Sequence, residues 1–372
     1  MRRLLLIAPI ACALSAASLL PAEAAGTPSD HFVRGTARIV DERTFVTFRT
    51  PYRLTDISSD GRRVAFIQSY GAEAGVIDLV NDRIRFFGPV DVSASGPVLF
   101  SPGGRAVLFR HRTTLRIFHL STGRTTIAVR GVAPNTAWQW LGDGRIAFVD
   151  WDRRLLLARP GHTPRFTGIT IPGLQSGRHH YDFSRILLGT VSVSPSGAAV
   201  LYTDGRCRAW LADLDTGTRH VVARRALVRP MSWSPQGSRF VLTTVPRSSP
   251  PGCLAGPPSA IDVMFDRHGK RLARVSRFRD ALSTGHTFTW STDGRWILIG
   301  VDPTGSAVAG YEYLLAASVR HRTVSMVVPD RLASPAFMGP GGWIMFSHYA
   351  EAEGASYGHE QGWVIVGRIV GG

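Results

Sequence analysis

Along this chain short apolar runs alternate with polar turns, and one unit of that alternation recurs. A few apolar residues lead into a Ser/Asp/Pro-rich turn ending in Gly, and a strongly apolar run follows. The copies are Ile57-Ser58-Ser59-Asp60-Gly61 before Val64–Ile67, Phe100-Ser101-Pro102-Gly103-Gly104 before Val107–Phe109, and Trp140-Leu141-Gly142-Asp143-Gly144 before Ile146–Val149. Val193-Ser194-Pro195-Ser196-Gly197, Trp233-Ser234-Pro235-Gln236-Gly237 and Trp290-Ser291-Thr292-Asp293-Gly294 continue the series, and a degenerate seventh copy runs from Phe337 to Gly342 before Trp343–Phe346. A tight hairpin needs a positive φ, so the closing glycines are expected to supply it. No stretch carries an apolar stripe of helical period, and the runs are of strand length.

Most copies are followed by a second half-unit. Leu115–Leu120 runs through Ser121-Thr122-Gly123 into Thr125–Val129, Trp210–Leu214 runs through Asp215-Thr216-Gly217 into Arg219–Ala223, and Val76–Leu79 runs through Asn81-Asp82 into Ile84–Phe87. Each reads as a third strand, a turn and a fourth strand. Four antiparallel strands per period, repeated radially, make the blade of a β-propeller, so the pattern predicts an all-β chain of about seven four-stranded blades. The last period stops at its third strand, Trp363–Val370, and would leave an open edge. The N-terminal segment Gly35–Val40 is the expected donor of the missing strand, closing the ring.

The Trp-Ser-Pro-x-Gly turn with its following strand and Asp213-Leu214-Asp215-Thr216-Gly217 resembles the WD-repeat-like blades of TolB-type propellers over about Tyr52 to Val370. That resemblance implies a fold more than an activity. TolB-type propellers are mainly periplasmic binding proteins, and similar blades form the non-catalytic domain of prolyl oligopeptidase-like enzymes. The seven turns here depart from the six blades of TolB.

Composition agrees with strands and turns: the chain has 39 Gly and 23 Pro. Its N-terminus places Arg2-Arg3 before an apolar run from Leu4 to Leu20 and a small-x-small site, Ala22-Glu23-Ala24. This reads as a signal peptide over residues 1–24, leaving a single domain over 25–372 that is secreted or held in the periplasm or envelope. The run is short for a bilayer span, and no later segment is apolar enough to cross. The net charge is +16 and Lys270 is the only lysine, so the basicity is arginine. A GC-rich genome explains arginine codons; attraction to an anionic envelope polymer is the functional reading. No long basic tract or nucleic-acid-binding motif is present, so nucleic acid is not an expected partner. After cleavage Cys207 and Cys253 remain, and an exported chain is expected to join them in a disulfide.

In a blade A-B-C-D the A–B and C–D turns lie on one face, and the B–C loops and D–A connections on the other. The longer connections (173–185, 246–259, 302–310 and 348–361) all fall on the B–C/D–A face, where function is expected. They carry Arg178, His179, His180, Tyr181 and Asp182, and Tyr349, Glu351, Glu353 and His359, without a metal-ligand spacing such as His-Glu-x-x-His. Trp151, between Asp150 and Asp152, is either a stacking platform for a sugar or peptide or a residue packed between blades. Gly354-Ala355-Ser356-Tyr357-Gly358 matches a nucleophile elbow, but only fourteen residues follow it, leaving no hydrolase domain to complete the motif. The sequence therefore points to a monomeric, non-catalytic binding or scaffold protein without cofactor or metal, for a protein or anionic wall-polymer partner. The alternative is a glycan-acting lyase or hydrolase with its site at the central channel.

Overall fold

A computed structural model describes residues 31–48, 52–68, 73–90, 97–133, 136, 138–172, 191–204, 206–227, 231–246, 259–279, 287–301, 313–328, 336–350 and 361–371. Two N-terminal strands, β1 (Val33–Arg34) and β2 (Arg38–Phe48), precede the blades. Blade 1 is β3 (Tyr52–Ile57), β4 (Arg63–Gln68), β5 (Ala74–Asp78) and β6 (Arg83–Phe87); blade 2 is β7 (Leu99–Phe100), β8 (Ala106–His111), β9 (Thr114–His119) and β10 (Thr125–Arg130). Blade 3 is β11 (Trp138–Trp140), β12 (Ile146–Val149), β13 (Arg154–Ala158) and β14 (Arg165–Thr170); blade 4 is β15 (Val191–Val193), β16 (Ala199–Thr203), β17 (Ala209–Asp213) and β18 (Arg219–Ala223). Blade 5 is β19 (Ser232–Trp233), β20 (Arg239–Thr244), β21 (Ser259–Asp266) and β22 (Arg271–Arg279); blade 6 is β23 (Thr287–Trp290), β24 (Trp296–Val301), β25 (Tyr313–Ser318) and β26 (Thr323–Val328). In blade 7, β27 (Phe337–Met338), β28 (Trp343–Ala350) and β29 (Gln361–Val370) take β2 as their fourth strand. The protein is a seven-bladed β-propeller, with one strand of each blade lining the axis.

The apolar runs follow from this geometry. Val64, Ala65, Phe66 and Ile67 of β4 are all buried, because both faces of a blade are covered by neighbours. Val64 and Phe66 enter the layer between blades 1 and 7 with Phe337, Met345, Val364 and Val366, while Ala65 and Ile67 enter the layer between blades 1 and 2 with Phe100, Val107 and Phe118. Corresponding apolar layers separate blades 2 and 3, 3 and 4, 4 and 5, 5 and 6, and 6 and 7.

The turn motif has a physical explanation. Gly61, Gly104, Gly144, Gly197, Gly237, Gly294 and Gly342 all adopt positive φ, between 64° and 83°. In five of the turns the serine Oγ accepts a hydrogen bond from the amide five residues on, as in Arg63 N–H to Ser58 Oγ at 2.9 Å and Trp296 N–H to Ser291 Oγ at 2.9 Å. The serine thus satisfies a donor that the tight turn would leave unpaired.

Ring closure uses the predicted N-terminal region with shifted boundaries. β2 is antiparallel to β29, with Arg38 opposite Val370 and Thr47 opposite Trp363. Gly35 lies outside this pairing: β1 instead runs parallel to β26, and Gly35 N–H bonds to the Val324 carbonyl at 2.8 Å. One step earlier, Phe32 N–H bonds to the Arg274 carbonyl of blade 5 at 2.9 Å. Residues 31–48 therefore form a belt across the outer edges of blades 5, 6 and 7. Phe32 is buried in the layer between blades 5 and 6, and Ala37 in that between blades 6 and 7.

Candidate functional site

The two faces of the disc are built from different turns. On the A–B face neighbouring turns interlock. Ser59 Oγ donates to the Pro102 carbonyl at 3.1 Å, Gly142 N–H to the Pro195 carbonyl at 2.7 Å, and Thr292 N–H to the Met338 carbonyl at 3.0 Å. A Cβ on Gly61 would lie 2.6 Å from Pro340 Cδ, so this turn admits no side chain against its neighbour.

On the opposite face, the B–C turns of blades 3 and 4 share one construction. Asp150 Oδ1 accepts the amides of Asp152 and Arg154, and its Oδ2 accepts Arg154 Nε at 2.8 Å. Asp204 repeats this with the amides of Arg206 and Arg208 and with Arg208 Nε at 2.6 Å, adding the Trp210 indole at 2.9 Å. Burial disfavours the charge on Asp204, but the indole, amide and guanidinium donors outweigh it and hold the carboxyl below its usual value. Both carboxylates, buried and consumed by their own turns, offer little to a ligand. Spacing alone carries this signal: Asp150–Arg154 and Asp204–Arg208 repeat an aspartate and an arginine four residues apart at the end of a second strand.

The arginines between these anchors are left outward. Among the described residues of the B–C/D–A rim of blades 2–4, Arg112, Arg130, Arg153, Arg206 and Arg224 are exposed. The exposed carboxylate, Asp152, is paired with Arg154 at 3.0 Å. Backbone bonds knit the segments together: Val132 N–H bonds to the Thr113 carbonyl at 3.0 Å, Ala133 N–H to the Val149 carbonyl at 3.2 Å, and Ala226 N–H to the Cys207 carbonyl at 2.8 Å. Buried Arg110 donates from Nε to the Arg112 carbonyl at 2.5 Å and from Nη1 to the Ala133 carbonyl at 3.3 Å. Trp151 stands on the same rim with 61% of its surface exposed, so it is not packed between blades.

At the axis, the inner strands are laced across the seams. The Trp233 indole donates to the Ser192 carbonyl at 3.1 Å and the Trp290 indole to the Ser232 carbonyl at 3.2 Å, while Gln139 Oε1 accepts Val193 N–H at 3.1 Å. At the seam of blades 1 and 2 the corresponding acceptor is ionisable: Asp56 Oδ2 accepts Phe100 N–H at 2.6 Å and its Oδ1 accepts Ile57 N–H at 2.9 Å. Desolvation by the inner strands raises the Asp56 carboxyl to about 7, against the lowering effect of those two amides. An aspartate inside an alternating strand looks like any solvated position, so sequence reading passed over it; its alignment with Gln139, each two residues before the turn's first residue, is the available signal.

Of the predicted site residues, Arg178, His179, His180, Tyr181, Asp182, Glu351, Glu353, His359 and also Cys253 lie outside the described residues. Tyr349 falls in β28 opposite Gly362, its side chain also outside the description. Cys207 sits in the B–C turn of blade 4 with φ 61°. Among the described residues, no three His, Cys, Asp or Glu side chains are grouped as a metal centre requires.

No protein-family model matches the sequence, and no curated protein is significantly similar to it. Solved structures do match. The β-propeller domain of Cps50 (Swd1) from Myceliophteria thermophila is similar with a TM-score of 0.56 at 13% identity, over 87% of this chain and 99% of that one. An oligogalacturonate lyase in complex with manganese reaches 0.58 at 13% identity, over 91% of this chain and 98% of that one. An oligogalacturonate lyase from Vibrio parahaemolyticus reaches 0.57 at 11% identity, over 91% and 98%. At these identities the likeness is one of fold.

Proposed function

We propose that this protein is exported, loses residues 1–24, and acts in the envelope or outside the cell as a non-catalytic binding propeller. Its B–C/D–A face takes an anionic wall polymer or an acidic protein surface. The B–C/D–A rim of blades 2–4 carries this reading: its turns bury Asp150 and Asp204 and leave Arg112, Arg130, Arg153, Arg206 and Arg224 outward on the face of the long connections. Because arginines such as Arg105 and Arg124 are exposed on the A–B face too, the choice of face is the point to test. A pair of charge reversals on each face tests it. Arg206→Glu with Arg224→Glu is expected to weaken binding of the mature protein to native cell-envelope material about tenfold or more, by losing charge-assisted hydrogen bonds. Arg105→Glu with Arg124→Glu, on exposed A–B-face turns, is expected to leave it within about twofold. The opposite ranking would reverse the choice of face.

The same reading includes a Cys207–Cys253 disulfide, as expected for an exported chain with two thiols. Peptide mapping of secreted protein without reductant should yield the cross-linked pair; two alkylatable thiols would remove it.

A second reading has one observation behind it. A carboxyl titrating near neutrality at the axis suits general acid–base chemistry, and two of the structurally similar proteins are oligogalacturonate lyases. Cleavage of a uronate polymer by the native protein and not by Asp56→Asn would replace the binding reading with this one.

A further inference from the structure

Resting on the binding reading above, we propose that the rim joining blades 2 and 3 is a subsite for a carboxylated polysaccharide, with Trp151 under a sugar ring and Arg112, Arg130 and Arg153 around it. Three observations converge there. First, the surface is continuous. The turn of Arg112 and Thr113, the crossing segment from Arg130 to Ala133 and the turn from Asp150 to Arg154 are tied by Val132 N–H to Thr113 O, Ala133 N–H to Val149 O and the two bonds of buried Arg110. The residue at the end of β10, Arg130, pairs with Thr114 at the start of β9, which keeps it beside the first turn.

Second, the arginines occupy positions that would be easier for another residue. Arg112 and Arg153 have φ of 58° and 62°, in the left-handed region that glycine enters at little cost. The seven A–B turns use glycine for the same requirement. Cys207 holds the position of Arg153 in the matching turn of blade 4, and Arg322 is a left-handed arginine on the other face, so what sets this rim apart is that two such arginines stand on adjoining turns beside Trp151.

Third, the chemistry is mixed. An indole with 61% of its surface in water presents an apolar ring face, on a rim that also carries the exposed Arg112, Arg130 and Arg153 and on which the adjacent Asp152 is paired with Arg154. Guanidinium forks match carboxylates bidentately. A ring bearing a carboxylate, as in a uronic acid polymer, uses both at once. A flexible phosphate polymer would engage only the arginines. A single-stranded nucleic acid favours successive stacking platforms, whereas Trp151 is the one exposed aromatic residue among the described residues of this rim.

The test measures binding of the mature full-length protein to immobilised polygalacturonate, with neutral glucan, polyphosphate and a single-stranded oligonucleotide as comparisons, at two salt concentrations. The native protein should prefer polygalacturonate to all three. Trp151→Ala should weaken that binding about tenfold while leaving polyphosphate binding unchanged. Arg112→Ala combined with Arg153→Ala should weaken both acidic polymers tenfold or more. Arg153→Gly separates binding from folding: it relieves the left-handed strain, so it should melt no lower than the native protein and still lose affinity. Polygalacturonate binding unchanged by Trp151→Ala or by the arginine pair, or a preference for polyphosphate or the oligonucleotide, overturns the subsite. If that happens while the Arg206/Arg224 reversal still abolishes envelope binding, only the subsite falls and the wider reading stands.

Discussion

A mature chain shortened to begin at residue 49 is expected to lose its stable monomeric fold. The deletion removes β2 and so exposes the whole edge of β29, along which eight residue pairs are in register from Arg38–Val370 to Phe48–Gly362. It uncovers the edges of β26 and β22 as well, and takes Phe32 and Ala37 out of two inter-blade layers. Burial of a phenylalanine alone contributes about 3 kcal/mol, and with the lost strand the cost should exceed about 5 kcal/mol, a large part of a domain's net stability. Exposed strand edges then favour association. Size-exclusion chromatography and thermal melting check this; a monomer melting within a few degrees of the native protein would show the belt to be dispensable. Two point variants grade the effect. Phe32→Ala should cost about 3–4 kcal/mol, and Gly367→Val should part β2 from β29, since a Cβ there would meet Ile39 Cγ2 at 2.4 Å.

The second large effect is a pH dependence with an unusual sign. Asp56 has a folded pKa of about 7 against an ordinary 3.8, so between those values the folded protein holds a proton that the unfolded chain has released. Stability from this group is full below about pH 4, falls as pH rises and is lost above about 7. Asp56 is only partly buried, which tempers the effect, and about 2 kcal/mol between pH 4.5 and 7.5 is expected. Asp60, Asp78, Asp204 and Asp213 have lowered pKa values, so they contribute in the opposite sense, losing stability as pH falls below the carboxylate range. Denaturant titrations of the native protein and Asp56→Asn across that window isolate the term. The difference between the two should shrink from alkaline to acid pH in the direction of the native protein's recovery; parallel profiles would assign the titration elsewhere.

The fold was readable because its repeating unit is local. Ser58, Ser101, Ser194, Ser234 and Ser291 each close a turn within five residues, and the glycine of each turn supplies a conformation its neighbours cannot. The belt was read only in part because a parallel strand of two residues, Val33–Arg34, has no turn beside it and no period of its own. The candidate site was harder for a different reason. Histidines and acids in long loops attract attention by type, whereas Arg112 and Arg153 matter through backbone conformation, and Asp56 through a hydrogen bond to a residue 44 positions away. Trp151 was identified, but whether it faced water or a neighbouring blade depended on packing that no local pattern encodes.

The belt also sets an order of events in time. β2 precedes all seven blades in the sequence and finds its partner in β29, more than 300 residues later. At about 5–20 residues per second it waits some 15–60 s, with seven blades' worth of chain still to come. Throughout that interval β2 is a strand without its partner, and its open edge is available to another copy. Whatever holds β2 apart during synthesis therefore decides between a closed ring and a chain of rings.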